Sequence, residues 1–221
     1  MTKKYDYVVI GAGIIGLSIA RSLRQVWSQR RILVLEKEED VASHASGRNS
    51  GVLHAGFYYT ADSFKARFSV VGNKTMKEYC REHNIPMNEC GKIVVAQNEA
   101  ELATLEELFR RGQKNGANVA MIDEATAAKI EPNIRTHKKA LFSPDTASVD
   151  PLEVCLSIKR YLQANDVEFA FNTAYRGHQG DVVLTTKGDV EARKVINCSG
   201  LYADKIAQDY GFGKKFTMIP F

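Results

Sequence analysis

Three glycines and one glutamate carry the first chemical signal in this chain. Gly11, Gly13 and Gly16 stand in the pattern Gly-x-Gly-x-x-Gly directly after the apolar run Tyr7-Val8-Val9-Ile10. At a strand-to-helix turn, Gly11 permits the tight bend, Gly13 lets the backbone approach a pyrophosphate, and Gly16 lets helix and strand pack closely. The free amides at the helix start then face the phosphates, where the helix dipole favours negative charge. Glu36 ends a second apolar run, Arg31-Ile32-Leu33-Val34-Leu35, at the distance where a ribose-binding acid is expected. These parts predict a dinucleotide site, with NAD and FAD both open.

A second chemical stretch runs from Ser43 to Tyr59, dense in Ser, Gly, Asn, Arg and His. Small side chains let backbone amides come close to a ligand, and Arg48 and His54 add cationic or hydrogen-bonding groups beside them. The stretch is too long and too specific in chemistry for a plain connector, and it predicts a cofactor-contacting loop. The run Glu36-Lys37-Glu38-Glu39-Asp40 before it reads as a solvated surface with one functional acid at its edge.

The elements that position these groups follow from periodicity. Ile14 to about Val26 buries one helical face, and Asp62 to about His83 reads as a helix capped by Asp62 or Ser63. Its stripe of Phe64, Phe68, Val71, Met76 and Tyr79 predicts a core face. Cys90 to Ala96 reads as a strand, Glu99 to about Gly112 as a surface helix, and Asp123 to Ile130 as a short helix. Ala140 to Asp150 looks like strand, turn and return strand. Asp150 and Pro151 then start a helix running to about Ala164, followed by a strand at Val167–Phe171. Short strands around Tyr175, Val182–Thr186 and Val190–Ala192 predict an antiparallel meander. Lys194 to Gly200 is a separate buried strand with a small-residue turn, before a helix through Ala203 and Ile206. The tail from Phe216 to Phe221 is strand-like.

Composition bounds the function class. The chain has 221 residues, 44% hydrophobic and 25% charged, with a formal net charge of +4, enough for a sizeable core and too weakly basic to argue for nucleic acid. Cys80, Cys90, Cys155 and Cys198 lack metal-type spacing, so no metal site is expected. Met1-Thr2-Lys3-Lys4 runs straight into the first strand, and no apolar segment is long enough to span a bilayer. The expectation is a cytoplasmic protein with reduced thiols.

The residues resemble a known group, the FAD-dependent oxidoreductases of the D-amino acid oxidase type. Within it, Ser46 to Tyr59 followed by Ser63-Phe64-Lys65-Ala66 resembles the branch oxidising L-2-hydroxyglutarate, as do Cys90-Gly91-Lys92, Glu131-Pro132-Asn133 and Asn197 to Asp204. The resemblance implies an α/β fold: a Rossmann-like FAD-binding domain at 1–85 and 148–212, with a partial, inserted α+β substrate domain at 86–147 and 213–221. It further implies oxidation of a small 2-hydroxy acid by hydride transfer to flavin, with oxygen or a quinone-linked group as acceptor. A peripheral placement at the inner face of the membrane fits the latter. Such enzymes run to nearly twice this length, so a truncated chain is expected.

By the same resemblance, FAD lies along Gly11, Gly13, Ile14, Ile15 and Gly16, with Glu36, Lys37 and His44 near the ribose. Ser46, Gly47, Asn49, Ser50 and Gly51 follow the pyrophosphate and flavin. Ala174 contacts adenine through its backbone, and Ser199 and Gly200 pack near the ribityl chain or phosphate. His54 is the candidate catalytic residue, a base or polariser at the flavin's substrate face, with Arg48 and Lys65 setting the electrostatics there. Two other readings remain: a relative acting on glycerol-3-phosphate or an amine, and a nucleotide-binding fragment without catalysis.

Overall fold

In a computed structural model describing residues 2–219, the chain divides into two compact units, residues 1–49 with 151–221, and residues 50–150.

Unit one begins with β1 (Lys3–Ile10), α1 (Ile14–Val26) and β2 (Ile32–Leu35). Its sequence β-α-β demands a parallel pair, and β1 and β2 are paired in parallel from Tyr7↔Ile32 to Ile10↔Leu35. All four residues of β2 are buried, as a parallel strand covered on both faces must be.

Unit two opens with β3 (Val52–Leu53) and α2 (Phe64–Glu82), whose cap is Ser63, its side chain accepting from the Ala66 amide. β4 (Met87–Asn88), β5 (Lys92–Val95), α3 (Glu99–Lys114), β6 (Ala120–Asp123), α4 (Glu124–Ile130), β7 (Lys139–Ser143) and β8 (Ala147–Val149) complete it. An antiparallel sheet β5-β7-β6 and a smaller one, β3-β8-β4, result. Phe57, Ala96, Leu102, Leu105 and Leu141 form the core against the first of these, with Leu108 and Phe109 packed beside them.

The chain then returns to unit one through α5 (Pro151–Ala164), β9 (Glu168–Ala170), β10 (Tyr175–Gln179), β11 (Val182–Thr185), β12 (Val190–Asn197), a 3-10 turn at Gly200–Tyr202 and α6 (Ala203–Asp209). The six-stranded sheet has the order β10-β11-β12-β1-β2-β9. Val8, Ile10, Leu33 and Leu35 share one face with Val183 and Ile206, so strand periodicity sends Val9 and Val34 to the other. α1 packs on β1, β2 and α5.

Several expectations need correction. Phe64, Phe68 and Val71 are 74%, 64% and 57% exposed and Met76 is half-buried, so the predicted core stripe of α2 holds only at Tyr79. The helix instead buries Ala66, Asn73, Lys77, Tyr79 and Cys80. Val190–Ala192 and Lys194–Asn197 are one strand: β12 is antiparallel to β11 at its start and parallel to β1 along its length. β8 is not a return strand for β7; it pairs with β3 and β4 in a different sheet. Those pairings also place residues 50–85 in the second unit, whereas the sequence draws its boundary after residue 85. Residues 213–219 fall with the first unit. The tail is no strand from Phe216 to Ile219: the Met218 amide bonds the Asp204 carboxylate, and Gln208 bonds the Phe216 carbonyl. Pro220 and Phe221 lie outside the described residues.

Candidate cofactor site

The glycine turn of unit one is shaped by crowding. Gly11 has φ +107°, and a Cβ there would lie 2.4 Å from the Cys198 carbonyl oxygen at the end of β12. A Cβ on Gly16 would lie 1.9 Å from the Gly11 carbonyl oxygen, so α1 can start this close to β1 only with glycine. Gly13 meets only Ser46 Oγ, 3.0 Å from where its Cβ would stand.

The start of α1 carries no acid in its first turn and has no side-chain cap from Gly13, whose carbonyl accepts from the Leu17 amide at 3.0 Å. Ser46 Oγ supplies one from outside, accepting from the Ile14 amide at 2.9 Å. The remaining first-turn amides have no intrahelical partner, so the positive end of the dipole meets solvent beside an exposed Ile15.

Glu36, at the end of β2, is a strut as well as a candidate ribose ligand. One carboxylate oxygen accepts from the Ala12 amide at 2.7 Å and the other from the Glu38 amide at 3.0 Å. The backbone adds Gly11 N–H to the Leu35 carbonyl at 2.8 Å and Ala42 N–H to the Ala12 carbonyl at 3.1 Å. Beyond Glu36, Lys37 pairs with Glu38, and His44 Nε2 lies 2.8 Å from the same carboxylate. The hydrogen bond to Glu38 raises the Lys37 pKa, and the hydrogen bonds from Lys37 and His44, with the Lys37 charge, hold Glu38 low. The Lys37 ammonium also sits 5.2 Å from the centre of the Tyr202 ring.

The other predicted positions are distributed as follows. Gly47 presses on Ala42, whose carbonyl oxygen would be 2.4 Å from a Cβ. Asn49 donates to the carbonyls of Ala45 and Ser46, holding the turn that presents Ser46. Ala174 has both backbone groups engaged with Thr186, its amide at 2.9 Å from Oγ1 and its carbonyl accepting the Thr186 amide. Ser199 Oγ donates to Asn197 at 2.7 Å, and Gly200 has φ +58° with open space around it. Arg48 and Lys65 are exposed.

Ser50, Gly51 and His54 belong to the second unit. Ser50 is exposed, while Gly51 is buried at φ +67° and accepts from the Val149 amide. His54 stands edge-on to Tyr58, ring centres 6.4 Å apart, and the Lys92 ammonium lies 4.9 Å from the Tyr58 centre. Partial burial, then the Lys92 charge, lower the His54 pKa below its ordinary value, so the ring is neutral at pH 7 and able to accept a proton. Sequence reasoning missed Tyr58 and Lys92 as partners of His54, and missed Cys198 as the wall that requires Gly11. The Cys90-Gly91-Lys92 motif was visible, but nothing in it pointed to His54.

The residues of unit one suit a dinucleotide pyrophosphate: glycines that no Cβ can replace, an acid-free helix start, and a carboxylate at the end of the neighbouring strand. Comparison with known proteins agrees. The family described as FAD dependent oxidoreductase (DAO) matches residues 6–221. L-2-hydroxyglutarate dehydrogenase of Escherichia coli K12 is 37% identical over 222 residues, covering 98% of this chain and 52% of the relative. The mitochondrial enzyme of that name from Homo sapiens is 34% identical over 237 residues, covering 100% and 51%. This chain thus spans about half the length of the curated relatives it matches. Among solved structures, glycine oxidase from Geobacillus kaustophilus superimposes with TM-score 0.86 at 22% identity, over 96% of this chain and 60% of that one. L-alpha-glycerophosphate oxidase from Mycoplasma pneumoniae, with FAD bound, gives 0.85 at 25%, over 93% and 56%. Fingerprint, fold and relatives therefore converge, and the chain belongs to the DAO family of FAD-dependent oxidoreductases, whose cofactor is FAD.

Proposed function

We propose that this chain holds FAD for the oxidation of a small 2-hydroxy acid, L-2-hydroxyglutarate to 2-oxoglutarate. The observation that carries the cofactor half is the Glu36 carboxylate bonded to the Ala12 amide beside the acid-free start of α1. The substrate half is supported by the names of relatives 34–38% identical over the chain.

In this reading the first-turn amides of α1 bind the pyrophosphate oxygens, and Gly13 lets them come close. Ser46, Gly47 and Asn49 shape the turn beside them, with Ser50 and Gly51 continuing toward the flavin. Lys37, His44, Ala174, Ser199 and Gly200 line the path of the nucleotide, and Glu36 accepts from the ribose hydroxyls. Bound FAD supplies the hydride acceptor. His54, neutral at pH 7, takes the proton of the substrate hydroxyl as the hydride leaves the α-carbon.

The visible spectrum of the purified protein tests this. Flavin bands that bleach anaerobically with L-2-hydroxyglutarate are expected. Bleaching with glycerol-3-phosphate instead would favour the reading that the Mycoplasma oxidase supports by structure. A colourless protein indifferent to added FAD would leave a nucleotide-binding piece without catalysis. Readmitting oxygen or a quinone to the bleached protein assigns the acceptor. Among the described residues no helix is long and apolar enough to cross a membrane.

A further inference from the structure

Lys92 has no carboxylate partner among the described ion pairs, whereas Lys77, Lys114 and Lys138 of the same unit each have one. It stands on β5, which pairs only with β7 and so forms an edge of its sheet. Gly91 sets its approach: φ is +72°, its amide bonds the Thr146 carbonyl at 3.0 Å, and a Cβ would lie 2.8 Å from the Phe142 ring. The ammonium rests over Tyr58, whose ring leans on the buried Phe57 at 4.2 Å. The lysine is therefore held in place by a ring rather than neutralised by an acid, and His54 meets the same ring edge-on, near enough to feel the Lys92 charge.

A fixed unpaired cation beside an exposed imidazole suits a ligand with an anionic group next to a proton-bearing one. We propose that Lys92 binds the α-carboxylate of the 2-hydroxy acid, the one adjoining the hydroxyl-bearing carbon, and so places its hydroxyl at His54, with Tyr58 as the platform that fixes Lys92. This rests on the function proposed above. A single ammonium matches one carboxylate, whereas a phosphate dianion is ordinarily held by several donors or a guanidinium fork.

The test follows the His54 imidazole by NMR in the FAD-supplemented chain, titrated with 2-oxoglutarate and with glycerol-3-phosphate. A saturable shift with 2-oxoglutarate is expected. Lys92→Met should weaken it about tenfold or more, the worth of one charge-assisted hydrogen bond. Lys92→Arg should keep most of the affinity and shows that the fold tolerates change there. Unchanged binding in Lys92→Met, or no shift in the wild type, overturns the proposal. Tighter Lys92-dependent binding of glycerol-3-phosphate overturns the assignment to a carboxylate. Flavin bleaching by L-2-hydroxyglutarate that ignores Lys92 sinks this inference alone. Lys92-dependent binding without bleaching sinks the oxidation reading and leaves Lys92 as an anion site.

Discussion

Glu36 has two backbone amides on its oxygens before any ribose arrives, so replacing it should have two separable consequences. Glu36→Ala is expected to weaken FAD binding by roughly tenfold to a hundredfold, read by flavin fluorescence titration. It should also cost about 1–3 kcal/mol of stability in urea without FAD, because the Ala12 amide loses its partner. Unchanged FAD affinity would refute the ribose role even if stability falls. His54 gives a pH signature. Its folded pKa is depressed, so the unfolded chain binds the proton more readily. The stability it contributes is present above about pH 6.5 and is lost as pH falls through the folded value. An imidazole titrating by NMR at or above about 6.5 would contradict this. Glu36 was legible because strand length and spacing fix where an acid must stand. Its bond to Ala12 was not, since spacing cannot show which amide a carboxylate oxygen meets. Lys92 was hidden for a related reason: Gly91 turns it toward a ring far from it in sequence.

α2 shows where periodic patterns mislead. Helical spacing identified an apolar stripe, but which face is buried depends on what packs there, and that is tertiary information. The buried face mixes Ala66, Tyr79 and Cys80 with two polar side chains: the Asn73 amide donates to the carbonyls of Leu53 and Asp145, at 2.8 and 3.1 Å. Lys77 bonds the Asp145 carbonyl and pairs with Glu89 at 2.7 Å. These bonds tie β3, next to His54, to the segment joining β7 and β8. Asn73→Ala should cost about 1–3 kcal/mol, since the half-buried Leu53 carbonyl loses its Asn73 donor and the Asp145 carbonyl is left with Lys77. Urea unfolding checks this, and a loss within about 0.5 kcal/mol, ordinary for a surface change, would show that water replaces the amide. The cap of α2, by contrast, was nearly legible: of the two candidates Asp62 and Ser63, Ser63 accepts from the amide three residues on, whereas Asp123, read as the first residue of its helix, is in fact the cap of α4.

The Rossmann-like β1-α1-β2 start of unit one was legible, because β-α-β order and short apolar runs leave few topologies. The merging of the last meander strand into β12 was not, since Val190 to Asn197 carries two polarities of pairing in one unbroken strand. Phe64 and Phe68 stack at 5.8 Å on an exposed face, an apolar patch in water. Phe64→Ser combined with Phe68→Ser should lower concentration-dependent self-association in light scattering while leaving FAD binding intact. Association unchanged in the double variant would move the cause elsewhere, the exposed Phe212, Phe216 and Ile219 being next. The partnership of β1 with β12 has a temporal meaning. Lys3 pairs beside Val190, and Gly11 turns against Cys198, so nearly the whole chain is the loop that this contact closes. On the ribosome the amino end must wait, its strand edge open, until β12 has emerged. Slow translation before residue 190 thus lengthens exposure of β1 rather than hastening assembly of the sheet.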